Sequence, residues 1–321
     1  MSRKSENTNI LTWYETVAVE MLYALVLMIS MLPFKVLYFL SDLTFHIIYS
    51  AVGYRRRVVR KNLALSFPEK TEEERAAIER GFYHFFCDYI FETLKLVSIS
   101  KERMKRHMVF TGVERVEEKS RRGLNIALYL GHYGNWEWMT SISLHLPKGM
   151  LGVQVYHVLE SRVMDRLLLR IRSKMGSVSV PMAETLRKLV TLRSERQSHI
   201  CGFISDQSPI VYNVPYWTIF LNQETPFING TEHVARKLDM ACMYLDVRRV
   251  KRGFYVAEFV DLLDDAKSVA DGVITQRYSE MLEHTIRRQP ELWLWSHNRW
   301  KRSHADFKNE LRKKCENVEV G

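Results

Sequence analysis

Residues 131–138 read GHYGNWEW, and two of them, His132 and Glu137, carry side chains able to move and steady a proton. A histidine, with an ordinary pKa of about 6.5, can take a proton from an alcohol at neutral pH and return it later. On an unbroken α-helix five residues turn through about 500°, which leaves the pair about 140° apart. They can meet only if His132 lies in a turn and Glu137 in the first turn of a helix after it. A carboxylate there is favoured by the unbonded helix amides. It would accept a hydrogen bond from one ring nitrogen, fix the tautomer and stabilise the imidazolium. Gly131 and Gly134 permit a tight turn with close backbone approach to a ligand. No G-x-S-x-G stretch occurs, so a serine nucleophile has no support, and the dyad would activate a hydroxyl of the substrate.

The elements that must hold these residues follow from periodicity. LNIALYL (124–130) is a short continuous apolar run, as in a buried strand. A helix is predicted over 135–146, a strand over 151–156, a helix over 161–175, a strand over 177–180, a helix over 183–194 and a buried strand over 199–205. An irregular Pro-rich stretch around 208–226 precedes a helix over 230–238, strands near 241–247 and 253–261, and a helix over 272–288. Upstream, Thr71 and Glu74 form a capping-box signature opening a long helix to about Val97. Strand–helix alternation predicts an α/β fold with a mostly parallel central sheet flanked by helices. Ligands in such sheets bind at the carboxyl ends of strands. His132 lies just past one such end and Asp206 just past another, so the two are expected to share a crevice.

The 321 residues carry a formal charge of +10, which points to a polyanionic partner. Cys87, Cys201, Cys242 and Cys315 form no C-x-x-C pair, so a zinc ribbon or a disulfide framework is not indicated. From Thr16 to Gly53 the chain is far more apolar than elsewhere. Residues 17–34 nearly make the roughly 20-residue apolar run of a spanning helix, apart from Glu20. Residues 35–53, with Lys35, Asp42 and His46, read as an amphipathic interfacial helix. The segment lacks the short leader and cleavage site of a signal peptide. Arg55, Arg56, Arg57, Arg60 and Lys61 follow at once; such a cluster stays cytoplasmic and grips anionic headgroups. Residues 1–54 are thus expected to be a membrane anchor and interfacial helix, and residues 55–321 a cytoplasmic catalytic domain. No nucleic-acid module is recognisable.

GHYGNWEW resembles the H-x-x-x-x-[D/E] motif of glycerolipid acyltransferases. More closely, the chain resembles the late acyltransferases of lipid A biosynthesis, the lauroyl and myristoyl transferases. RRRVVRKNLALSFPEK (55–70) is similar to that family's basic stretch ending in N-L-x-x-x-F-P, and VMDRLLLRIRSKMG (163–176) to its helix containing a recurrent arginine, here Arg172. ISDQSP (204–209) resembles its A-D-Q-type turn, and PELWLWSHNRWKR (290–302) its closing signature.

The resemblance implies a glycerolipid-acyltransferase-like fold and transfer of a fatty acyl group from an acyl carrier protein thioester to a hydroxyl of a lipid A precursor. On it, His132 is the base and Glu137 its orienter. Gly131 and Gly134 form the turn, whose amides would stabilise the thioester oxyanion. Arg172 offers a forked cation to a phosphate or to Glu137. Asp206 and Gln207 cap the turn, orient Arg172 or position the acceptor, and Arg299 meets a phosphate. No metal and no cofactor are implied beyond the acyl carrier protein co-substrate. The partners are that carrier, an anionic glycolipid and the membrane, on the cytoplasmic side of a bacterial inner membrane. The same chemistry on another glycolipid or aminolipid, or an inactive membrane scaffold, are the alternatives.

Overall fold

A computed structural model describes residues 11–209 and 216–319. The N-terminal part is helical: α1 (Trp13–Met31), α2 (Phe34–Phe45), a π-helical turn over His46–Val52, α3 (Arg56–Ser66), α4 (Glu72–Lys95) and α5 (Lys101–His107). Both predicted caps of α4 are present: Thr71 Oγ1 accepts from the Glu74 amide at 3.2 Å, and Glu74 Oε2 accepts from the Thr71 amide at 2.7 Å. Then follow β1 (Met108–Thr111), α6 (Val113–Arg121), β2 (Ile126–Leu130), β3 (Leu151–Tyr156), α7 (Arg162–Arg172), β4 (Val178–Pro181), α8 (Thr185–Ser194) and β5 (His199–Ile204). The rest comprises β6 (Tyr216–Phe220), β7 (Gln223–Phe227), α9 (Gly230–Leu238), β8 (Ala241–Lys251), β9 (Phe254–Leu263), α10 (Val273–Arg288) and α11 (His304–Glu319).

Seven strands form one sheet in the order β1-β9-β8-β2-β5-β3-β4. All its pairings are parallel except β8–β9, a hairpin turning at Gly253 with φ +75°. β2 sits in the middle and is buried along its whole length, which explains its unbroken apolar sequence. The expected mostly parallel α/β sheet flanked by helices is therefore what this sequence builds.

Two local expectations change. The helix expected over 135–146 is instead an irregular turn followed by a 3-10 helix, Trp138–Leu144. The Asn135 side chain and carbonyl both accept the Trp138 amide, and the Glu137 carbonyl accepts the Thr140 hydroxyl at 2.8 Å. These i to i+3 bonds replace the α-helical ladder. The stretch around 208–226 is not wholly irregular, because β6 and β7 pair as an antiparallel hairpin. Its residues 210–215 lie outside the described residues.

α1 is long and apolar enough to cross a membrane, and little of it is buried in the protein. α2 packs on α4 through Leu37, Ser41 and Phe45, with the Ser41 hydroxyl donating to Asp88 at 2.7 Å. Its outward face is also apolar, since Val36, Phe39 and Leu43 are exposed. That is the reverse of a water-facing amphipathic helix. Asp42, expected on an interfacial face, pairs with Arg252 at 2.7 Å. α11 is docked on the protein, since Phe307 in it is buried and His304 stacks on Trp217.

Candidate active site

β2 and β5 are parallel neighbours in a register that sets Leu130 opposite Ile204. Two residues further along each strand come His132 and Asp206, which therefore emerge side by side at the carboxyl edge of the sheet. The Asp206 carboxylate accepts His132 Nδ1–H at 2.6 Å and the His132 backbone amide at 2.8 Å. Trp293 Nε1–H donates to it at 2.8 Å as well. Burial alone would raise this carboxyl. The interaction with His132 and the three donors outweigh it and hold Asp206 below the usual carboxylate range.

With Nδ1 donating to Asp206, the lone pair of the imidazole is on Nε2. The Gln207 side-chain amide lies 3.1 Å from Nε2 and donates to it. The His132 side chain keeps 19% of its surface exposed, whereas Asp206 keeps 2%. The Trp136 ring meets the imidazole edge-on, 5.4 Å between centroids, and stacks on Tyr89 in turn.

Glu137 does not take the place expected of it. Arg172, at the end of α7, grips it with two parallel bonds, Nε to Oε2 at 2.8 Å and Nη2 to Oε1 at 2.6 Å. Burial would lower the Arg172 pKa, and the Glu137 contact overrides that and raises it. The turn explains the divergence. Gly134 has φ +60°, and its amide donates to the Leu292 carbonyl at 2.9 Å. The chain thus swings away from His132 and aims Glu137 at α7. Glu137 is one of the two partners expected for Arg172.

The segment 292–299 forms the floor. Leu294 N–H donates to the His132 carbonyl at 3.1 Å, and Tyr133 bridges to Trp293. Asn62 on α3 holds this floor from beneath, donating to the carbonyls of Trp295 and His297 at 2.9 and 3.0 Å. His297 Nε2 accepts the Ser208 amide at 3.3 Å, and burial lowers its pKa to about 4, so it is neutral.

A family model described as bacterial lipid A biosynthesis acyltransferase matches residues 7–302. This chain belongs to that family. Family membership makes it an acyltransferase of bacterial lipid A synthesis, in a membrane-associated family. Among similar proteins, lipid A biosynthesis acyltransferase 2 of Shigella flexneri is 21% identical over 243 residues, 75% of this chain and 76% of that protein.

Within this family member, two expected site residues stand differently from the sequence reading. The amides expected to receive an oxyanion are largely engaged: those of Gly134, Trp136 and Trp138 bond within the turn or to the floor. Arg299, expected to meet a phosphate, is 1% exposed; it donates to the Pro226 carbonyl and lies over the Phe227 ring at 5.0 Å. Its Nε and Nη1 have no partner among the described residues, and burial lowers its pKa to about 10. Gly131 is needed for packing: a Cβ there would come 2.6 Å from Leu282 Cδ1 and 3.4 Å from Asp206 Oδ2.

One carboxylate escaped the sequence reading altogether. Glu92 on α4 is buried and accepts from Tyr38 on α2 (3.0 Å), Asn135 in the turn (2.7 Å) and Tyr255 on β9 (2.9 Å). It ties the α2 helix to the turn carrying His132. Its signal was a glutamate at the spacing of Phe85, Tyr89 and Leu96, the apolar face of α4.

Proposed function

We propose that the protein moves a fatty acyl group from the thioester of an acyl carrier protein to a hydroxyl of a phosphorylated glucosamine precursor of lipid A. The work is done at the cytoplasmic face of the inner membrane with α1 as anchor. The observation that carries the catalytic part of this reading is the braced imidazole, with Nδ1 on the Asp206 carboxylate and Nε2 facing the Gln207 amide. Asp206 takes the bracing role that the sequence assigned to Glu137.

His132 Nε2 takes the proton of the acceptor hydroxyl, whose oxygen attacks the thioester carbonyl. The imidazolium formed is stabilised by Asp206. A hydroxyl at Nε2 occupies the position that the Gln207 amide now fills. The displaced amide is then a donor within reach of the developing oxyanion. Collapse of the tetrahedral intermediate forms the ester and expels the thiolate, which receives the proton from Nε2. Each atom and proton is accounted for without a metal or a nucleophilic side chain. The Glu137–Arg172 pair locks the turn to α7, which also packs on α1, where Arg170 meets Glu20 at 2.8 Å. The charge of +10 suits both an acidic carrier protein and an anionic lipid.

The test is acyl transfer by purified protein from acyl carrier protein thioester to a tetra-acylated lipid A precursor. His132→Ala should lower transfer by about 10²–10⁴-fold with the fold intact. Transfer by His132→Ala at the parent rate would sink the proposal. Acylation of other membrane lipids with none on the precursor would overturn the acceptor.

A further inference from the structure

α3 follows the Phe34–Val52 helical segment after a bend of 92°. Gly53 makes that bend in the left-handed region, with φ +64°, and Arg55 follows it there at φ +51°. The outer face of α3 and this bend form a shallow, wide-open cradle lined by Gly53, Arg56, Arg57, Arg60, Lys61 and Ala64. Four of the six lining residues are cations. Glu79, buried beneath them, pins Arg56 and Arg60 through their Nε atoms at 2.9 and 2.8 Å. Arg57 and Lys61, one helical turn apart and exposed, make no ion pair or hydrogen bond among the described residues. One carboxylate against four cations leaves a formal +3 around one concavity.

We propose that this cradle binds the phosphate of anionic phospholipid headgroups at the membrane surface. The inference rests on the reading of α1 as a membrane anchor and gives that reading a specific headgroup site. Ile47 and Val52 before the bend and Leu65 after it are all exposed apolar side chains flanking the cations. Apolar side chains beside a basic concavity suit the boundary between headgroups and acyl chains. An acidic soluble protein would satisfy the cations and leave the apolar residues wet. The 92° bend turns α3 away from the helical segment before it and leaves Arg57 and Lys61 exposed on one side of α3. Its other side, through Asn62, holds the floor of the candidate active site. A headgroup seated in the cradle therefore sets the height of the site above the membrane.

The experiment places the full chain in nanodiscs of equal phosphatidylglycerol and phosphatidylcholine and counts the lipids retained on the released protein by native mass spectrometry. The parent should retain phosphatidylglycerol preferentially, and excess inorganic phosphate should not displace it. The double variant Arg57→Glu/Lys61→Glu should lose that preference by about tenfold or more, since each surface cation is worth about fivefold. Arg57→Gln/Lys61→Gln should fall between. Equal preference in parent and variants would overturn the proposal, as would complete displacement by inorganic phosphate, which would mark a free-anion site. Loss of acyl carrier protein binding in the double variant with lipid preference unchanged would also overturn it, in favour of protein docking. His132→Ala separates this from the proposed function: it should lower transfer by about 10²–10⁴-fold and leave the lipid preference at the parent value.

Discussion

Replacing Asp206 by asparagine tests the bracing of His132 while keeping size and shape. Two donors, the His132 amide and Trp293 Nε1, converge on Oδ2, and Nδ1 faces Oδ1. An asparagine satisfies the first two only by placing its carbonyl oxygen there, which turns its amide nitrogen toward Nδ1. Nδ1 must then accept, the ring proton moves to Nε2, and the lone pair that would take the hydroxyl proton is gone. The charge-assisted bond to the imidazolium, worth about 1.5–3 kcal/mol, is lost as well. Together these should lower the first-order transfer rate by about 10²–10⁴-fold, with KM little changed because Asp206 is buried away from substrate. The assay is single-turnover transfer from acyl carrier protein thioester under saturating acceptor, with circular dichroism to confirm the fold. Asp206→Asn within fivefold of the parent, alongside a Glu137→Gln collapse of three orders of magnitude, would refute the reasoning and return the brace to Glu137.

Arg172→Lys should lower stability by about 1–3 kcal/mol, because a single ammonium cannot meet both Glu137 oxygens at once. Its transfer rate should drop less than that of Asp206→Asn, and a urea titration beside the transfer assay checks both. Glu92, pushed up to about 7 by burial against an ordinary 4.5, binds a proton in the folded state that the unfolded chain releases. Its contribution to stability is therefore full below about pH 4.5 and lost as pH rises to about 7, on the order of 3 kcal/mol. Glu92→Gln should flatten the fall in the urea midpoint between pH 5 and 7.5, and an unchanged slope would assign the effect elsewhere.

The linear sequence already specified much of this arrangement. The apolar run 124–130, the capping box at Thr71 and the alternation of strands and helices follow from side-chain periodicity and local hydrogen bonding, which neighbouring residues control. His132 and Asp206 could both be placed past strand ends for the same reason. Which carboxylate reaches the imidazole was another matter. Glu137 lies five residues away in sequence and Asp206 seventy-four, yet the parallel register of β2 and β5 delivers Asp206 to Nδ1. The left-handed turn at Gly134 and the fork of Arg172 draw Glu137 off. The same holds for Glu92, whose partners come from α2, the turn and β9, and for Arg299, whose burial depends on β7. Local sequence sets what each segment can become, because its forces act over a few residues. The pairing of charged groups was decided only by tertiary structure, because strand register and helix packing fix distances that no spacing along the chain encodes.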